Sequence, residues 1–250
     1  MEQNGLIIKD LNFSYDDFNI NALNLELPKG CVMGLIGENG AGKSTLINLI
    51  CRRIFTGEET ISFNGVNDFR SDLAFIFDEL KLSKSYRVKD VGRLMRYAYK
   101  AWDQSRFEEY CGNYGLQMKD KVSKMSLGMK QRLMQAAALS HSAKIFVFDE
   151  PSDGIDPFIR TQLLNDLRNV VYEEDVTVLI SSHNVSELED IVDYIAYMEK
   201  GTILFQCDIE TFRDEAISLL EQFRVRDIST YESNPSLQTF TALMQTRYIR

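Results

Sequence analysis

At 250 residues the chain is long enough for one large domain, or for a domain that carries an inserted subdomain. A hydrophobic fraction of 44% and a charged fraction of 26% are those of a soluble globular protein, and no apolar run reaches the roughly 18–20 residues that cross a bilayer. A net charge of −9, from 28 basic and 37 acidic residues, disfavours broad contact with a nucleic-acid backbone.

The start, MEQNGLIIKD, has neither a basic cluster nor a long apolar stretch, so no signal peptide is expected. LIIKDLNFSY and the alternating ALNLEL at 22–27 suit half-buried strands, with a turn at PKG, 28–30. CVMGLI at 31–36 is continuously apolar, as a strand covered on both faces should be. A glycine-rich loop follows, then KSTLINLICRRI, in which Leu46, Leu49, Ile50 and Ile54 make one helical stripe. TISFNG (60–65) and LAFIF (73–77) return to strand. From about 84 to 140, KDVGRLMRYAYKAW, QSRFEEYCGNYGL and MKQRLMQAAALS read as helices. Tyr97, Tyr99 and Trp102 fall in that block; aromatics so spaced are usually core, with an interaction surface as the other reading. IFVF (145–148) and VTVLIS (176–181) resume buried strands, with a helix near 157–172 between them. NVSELEDIV opens like a capping box, Asn184 with Glu187 three residues on. DYIAYMEKGTILFQ patterns as a hairpin turning at Lys200 and Gly201. One helix is expected over 209–224, and the polar tail beyond it has no assignment. Cys31, Cys51, Cys111 and Cys207 lie far apart without metal spacing, which suits reduced thiols in a cytosolic protein. Strands alternating with helices, interrupted by a helical block, give an α/β core with an inserted helical subdomain.

GENGAGKST at 37–45 matches the P-loop pattern and lies between a buried strand and an amphipathic helix. Gly37, Glu38, Asn39, Gly40, Ala41, Gly42, Lys43, Ser44 and Thr45 are therefore candidate nucleotide-binding residues. Backbone amides wrap the phosphates, Lys43 reaches the β- and γ-phosphates, and the Ser44 hydroxyl is a Mg²⁺ ligand. IFVFDE delivers two carboxylates to the end of a buried strand: Asp149 to hold Mg²⁺ and Glu150 to polarise water as general base. His183 follows an apolar strand at a strand–helix junction, where ligands collect in doubly wound sheets; a structural histidine is the alternative. His141 reads as a surface or packing residue. SLGMKQR at 126–132 opens a helix at Ser126, and its free amides suit an anion, although an ordinary capped helix has the same look.

Taken in order, GENGAGKST, SLGMKQR, FVFDEPSDGIDP and SSHN resemble the nucleotide-binding subunits of ABC transporters over about residues 5–205. The S-x-G-M form of the signature is similar to that of small, free-standing ATPase subunits of bacterial exporters. The resemblance implies a P-loop NTPase core of the RecA-like kind with an N-terminal antiparallel β subdomain and an inserted α-helical subdomain. It places the ATPase domain at 1–215, with the helical subdomain at about 84–140, and leaves 216–250 as an extension of unknown role. ATP and Mg²⁺ are the implied cofactors. A second ATPase subunit, identical or homologous, and an integral membrane transporter subunit are the implied partners, with no nucleic acid and no membrane span of its own. The implied location is cytoplasmic, on the inner face of the membrane through that partner.

Several residue roles come only with the resemblance. Ser126 and Gly128 would clamp the γ-phosphate held by Lys43 of the second subunit. Tyr15 would stack on adenine, Asp156 would communicate across the dimer, and His183 would contact the γ-phosphate and position the water. Where the family usually carries a Gln near Mg²⁺, this chain has Asp78 in AFIFDEL, a candidate metal ligand. ABC proteins acting on DNA or the ribosome are the rival: the former place a long coiled coil before the signature, the latter join two domains by a basic linker, and neither feature is present. A kinase-like P-loop enzyme would leave SLGMKQR and SSHN without purpose.

Overall fold

The structure is a computed structural model describing residues 5–246 apart from 16, 55–59, 77–82, 84, 152–156, 183–187, 224, 226–227 and 234. Its strands are β1 (Gly5–Tyr15), β2 (Phe18–Pro28), β3 (Val32–Ile36), β4 (Ile61–Phe63), β5 (Leu73–Ile76), β6 (Ile145–Asp149), β7 (Thr177–Ser182), β8 (Tyr194–Glu199) and β9 (Thr202–Asp208). Its helices are α1 (Lys43–Ile50), α2 (Val88–Ala98), α3 (Gln104–Asn113), α4 (Leu127–Leu139), α5 (Pro157–Glu174), α6 (Ile209–Gln222), α7 (Ile228–Ser233) and α8 (Leu237–Thr246).

An antiparallel sheet of order β2-β1-β4 packs beside a six-stranded sheet of order β5-β6-β7-β3-β8-β9, parallel except for β9. The pleat explains why the central strands are apolar throughout. Met33 and Leu35 face one layer with Leu46, Leu49 and Ile50 of α1, while Val32 and Ile36 face the other with Leu164, Leu167 and Val170 of α5. β6 repeats this, with Ile145 and Val147 on the first side and Phe146 and Phe148 on the second. Burying such a side chain is worth about 1.5–3 kcal/mol, and both faces of these strands receive that contribution. The hairpin turn forms at Lys200 (φ 45) and Gly201 (φ 80), as the pattern predicts.

The helical block has its own core, with Val88 and Val91 of α2, Phe107 and Cys111 of α3, and Leu133 and Ala136 of α4. It is tied to α5 by polar contacts: the Tyr114 hydroxyl donates to Asp166, Gln135 Nε2 donates to the same carboxylate (3.2 Å), and Arg106 pairs with Glu174 (2.5 Å). The aromatic run divides. Trp102 packs on Phe107 and Tyr99 on His141, whereas Tyr97 is 92% exposed. His141 is thus a packing residue, and burial holds its imidazole below the usual pKa.

Three segments differ from expectation. α1 ends at Ile50, because Arg52 turns left-handed (φ 55) and takes Ile54 off the stripe. The capping box at Asn184 and Glu187 lies outside the described residues, and the rest of that expected helix, 188–192, is a turn whose Ile191 and Val192 amides both return to the Leu188 carbonyl. The unassigned tail forms α7 and α8, and Phe240 of α8 meets Phe205, Phe212 and Tyr231 edge-on within the main core. Leu237, Phe240 and Met244 carry that helix's signal at spacings of three and four. Among the described residues no helix is long and apolar enough to cross a membrane.

Candidate nucleotide-binding and hydrolysis site

Three parallel strands finish on one edge of the large sheet. β3 runs into the glycine loop, β6 ends at Asp149, and β7, hydrogen-bonded to both, ends at Ser182. The carboxyl edge of such a sheet is where doubly wound folds gather ligands.

The loop is held tightly. Gly37 (φ 157) and Gly42 (φ 107) have backbones an L side chain rarely adopts, and a Cβ at either would meet Met198 O or Phe18 Cζ at 2.2 and 2.3 Å. The Gly201 amide donates to the Ala41 carbonyl (2.9 Å), so the β8–β9 turn braces the loop from behind. α1 then begins at Lys43 and aims its first-turn amides and positive dipole end into the site. Lys43 is buried at 5% exposure; its ammonium donates to the carbonyls of Gly37 (2.8 Å) and Glu38 (3.1 Å) and lies 3.4 Å from Glu150 Oε1. The cleft over this loop measures about 330 Å³ and is lined by the loop, Lys43, Ser44, Thr45, Phe18 and Glu150.

The two carboxylates are placed by one hydroxyl. Asp149 Oδ1 accepts from Ser181 Oγ (2.8 Å) and from Ser44 Oγ (3.2 Å), while the Glu150 amide donates to Ser181 Oγ (3.0 Å). Ser181 is fully buried and is the register partner of Asp149 across the β6–β7 ladder. Burial pushes the Asp149 carboxyl above the usual range, and the hydrogen bonds from Ser181 and Ser44 oppose that rise. Glu150 sits in the left-handed region (φ 48), a conformation costing about 1–2 kcal/mol for a residue with a Cβ. That turn breaks the strand's alternation and brings its carboxylate to Lys43. Ser44 and Asp149 offer hard oxygens at the mouth of a phosphate loop, a set that fits Mg²⁺, which takes one or two protein oxygens and fills its shell with phosphate and water. Among the described residues no cluster of three or more His, Cys, Asp or Glu is placed to hold a metal unaided.

The P-loop residues, Asp149 and Glu150 therefore come together. Tyr15 stands at the tight β1–β2 turn, 65% exposed, opposite Phe18 in the ladder, and it is Phe18 that lines the cleft. Ser126 and Gly128 open α4 on the surface and are not in the cleft lining; Ser126 Oγ accepts from the Met129 amide (3.2 Å). Asp78, Asp156 and His183 lie outside the described residues. Two residues escaped the sequence reading. Ser181 had only its place as a polar end to an apolar strand, and Phe18 only its place beside a short turn.

Residues 20–153 match the family described as ABC transporter. A lantibiotic transport ATP-binding protein of Streptococcus pyogenes, SrtF, is 35% identical over 207 residues, covering 80% of this chain and 90% of that one. A solved structure of the ATP-binding subunit of an ABC transporter has a TM-score of 0.81 at 24% identity, covering 97% of this chain and 100% of the other. The dimeric structure of MJ0796, a bacterial ABC transporter cassette, has a TM-score of 0.72 at 20% identity, covering 82% and 98%. With its phosphate loop, its paired carboxylates and these similarities, the chain belongs to the ABC transporter family, as an ATP-binding subunit that hydrolyses ATP.

Proposed function

We propose that this ATPase subunit works in a head-to-tail pair, with a copy or a homologue of itself, around two MgATP, and drives a separate membrane-spanning exporter subunit. One observation carries the pairing: the first turn of α4 is capped and solvent-facing at Ser126 and Leu127, and none of it lines its own chain's cleft. The Ser126 cap uses an oxygen lone pair, which leaves its O–H and the neighbouring first-turn amides to donate elsewhere. A γ-phosphate held by another chain's Lys43 is the ligand that chemistry suits. In this reading Glu150 takes the proton of the attacking water, His183 orients that water, and Asp156 communicates across the pair. Ser44, Asp149 and Asp78 supply oxygens to Mg²⁺, whose chemistry is to neutralise charge on the phosphates. Binding closes the pair and product release reopens it, which rocks the membrane partner between two states. The dimeric solved cassette of the same fold supports the pairing. The S-x-G-M signature and a relative named for lantibiotic transport support an export role, from a position on the cytoplasmic face of the membrane.

Mixing two dead variants tests the pairing. Ser126→Arg and Lys43→Ala should each abolish turnover alone. In a mixed dimer both defects fall on one site and the other is whole, so an equal mixture should recover about a quarter of wild-type ATPase activity. Normal turnover by Ser126→Arg, or no recovery in a mixture shown to dimerise, rejects the head-to-tail reading.

A further inference from the structure

The charge of this protein is strongly polarised. Residues 84–140 hold 12 Lys and Arg against 5 Asp and Glu, a net of +7, inside a chain of −9, so the remainder carries −16. Within the helical block the positive charge gathers around α2. Lys89, Arg93 and Arg96, spaced by four and three, fall within an arc of about 60° on the helix and are all exposed, and Lys100 follows just past its end. The opposite face of α2 is spent on the core: Val88 and Val91 are buried, and Gly92 lies against Phe107. Beside the helix's first turn runs a second basic segment. The Val88 amide donates to the Asp120 carbonyl (3.1 Å), the Lys89 amide to Met118 (3.1 Å) and the Val122 amide to Tyr86 (2.9 Å), which sets exposed Lys119 and Lys121 next to Lys89. Asp90 lies within the cluster, 3.6 Å from Arg93, and Asp120 lies between the two lysines; neither balances it.

Apolar groups complete the face. Tyr97, one residue from Arg96, is 92% exposed, and Leu94, one turn earlier, is 39% exposed. A tyrosine ring and an aliphatic side chain flanking a basic stripe on one side are the composition of helices lying in a lipid headgroup layer, where cations meet anionic headgroups and rings sit at the boundary. Leu94 has no use for a solvated phosphate chain, and the membrane-spanning partner proposed above, on which this inference rests, would put the protein beside a bilayer.

We infer that the exposed face of α2, with the adjoining 119–121 segment, docks directly on anionic phospholipid. The contact is peripheral, separate from the nucleotide cleft, and independent of the pairing proposed above. Its effect is orientational: the basic pole turns to the membrane while the acidic remainder is repelled, so the subunit arrives at its partner already aligned.

Vesicle flotation of the full chain tests this. Binding to phosphatidylglycerol-containing vesicles is expected at about 0.1 M salt, with none to pure phosphatidylcholine, and it should fall about five-fold for each positive charge neutralised. Arg93→Gln/Arg96→Gln, with unchanged thermal unfolding and basal ATPase activity, should float about 25-fold less. Tyr97→Ser should weaken flotation while leaving its salt dependence intact. Three results overturn the inference: equal flotation with both vesicle types, no loss in the double variant, or capture by single-stranded oligonucleotide in preference to the charged vesicles. If phosphatidylcholine proteoliposomes bearing the membrane partner recruit the double variant less well than wild type, the face belongs to protein rather than lipid, and the inference also falls.

Discussion

The chain presents two helix starts suited to an anion, and they are built in opposite ways. At the start of α1 the first-turn amides face a cleft whose walls are fixed: Lys43 is buried and bonded to two loop carbonyls, the loop is clamped between Phe18 and the β8–β9 turn, and the carboxylates are fixed through Ser181. At the start of α4, Ser126 makes a single cap bond and Leu127 beside it is 49% exposed. The first arrangement is preorganised for charge and shape, so binding there demands little further ordering. The second has donors without a surrounding wall. A donor set of that kind gains strength only when another surface excludes water from it. The contrast therefore separates what one chain does alone, holding nucleotide, from what we propose needs a second chain, turning it over.

The strongest way to sharpen that separation is to remove the base and keep the cradle. Glu150→Gln preserves size and the left-handed turn but cannot accept the proton, so turnover should fall on the order of 10²–10⁴-fold, the range for loss of a general base. Nucleotide affinity should be retained, because Lys43 gives up a carboxylate partner that competes with phosphate for its ammonium. MgATP should then shift the variant to a dimer in size-exclusion chromatography. Wild-type turnover by Glu150→Gln removes the residue from the chemistry.

How much of this was legible beforehand follows from how local each interaction is. The P-loop is nine consecutive residues whose spacing is itself the chemistry, and the central strands are continuous apolar runs because both faces are covered. Ser181 is different. Its bond to Asp149 joins residues 32 apart and exists only because β6 and β7 pair in one particular parallel register. No property of the segment VTVLISS announces that alignment. α8 was missed for another reason: Gln238, Thr239, Thr241 and Gln245 dilute its three anchoring side chains, and a polar tail with sparse anchors reads as unstructured. The charge of α2 was visible residue by residue, but its gathering on one face beside Lys119 and Lys121 needed the backbone bonds from Val88 and Lys89.

Ser181→Ala probes the join between strand ends at a smaller scale. It removes the buried donor to Asp149 and the acceptor of the part-buried Glu150 amide, a loss of about 1 kcal/mol or more. About a ten-fold fall in kcat is expected, the order that a loss of about 1.4 kcal/mol gives, with the KM for MgATP changed much less. An unchanged kcat with only a lower thermal midpoint would make Ser181 a stability residue and nothing more.

The smallest expected effect distinguishes the two aromatics that flank the β1–β2 turn. Phe18 presses on Gly42 and lines the phosphate end, so truncating it should loosen the loop and weaken any polyphosphate. Tyr15, across the ladder from Phe18 and 65% exposed, is the ring we propose for stacking on the adenine attached to the bound phosphates. Stacking of a base on one ring is worth about 1 kcal/mol at its weak end, so Tyr15→Ala should bind ATP about five-fold more weakly. Tyr15→Phe should bind as the wild type does, because the face and not the hydroxyl makes the contact. Inorganic tripolyphosphate has no base and serves as the control: Tyr15→Ala should leave its affinity unchanged, and Phe18→Ala should lower it together with that for ATP. Calorimetric titration of both ligands into both variants gives the answer, and equal losses for ATP and tripolyphosphate in Tyr15→Ala would take the Tyr15 ring off the adenine.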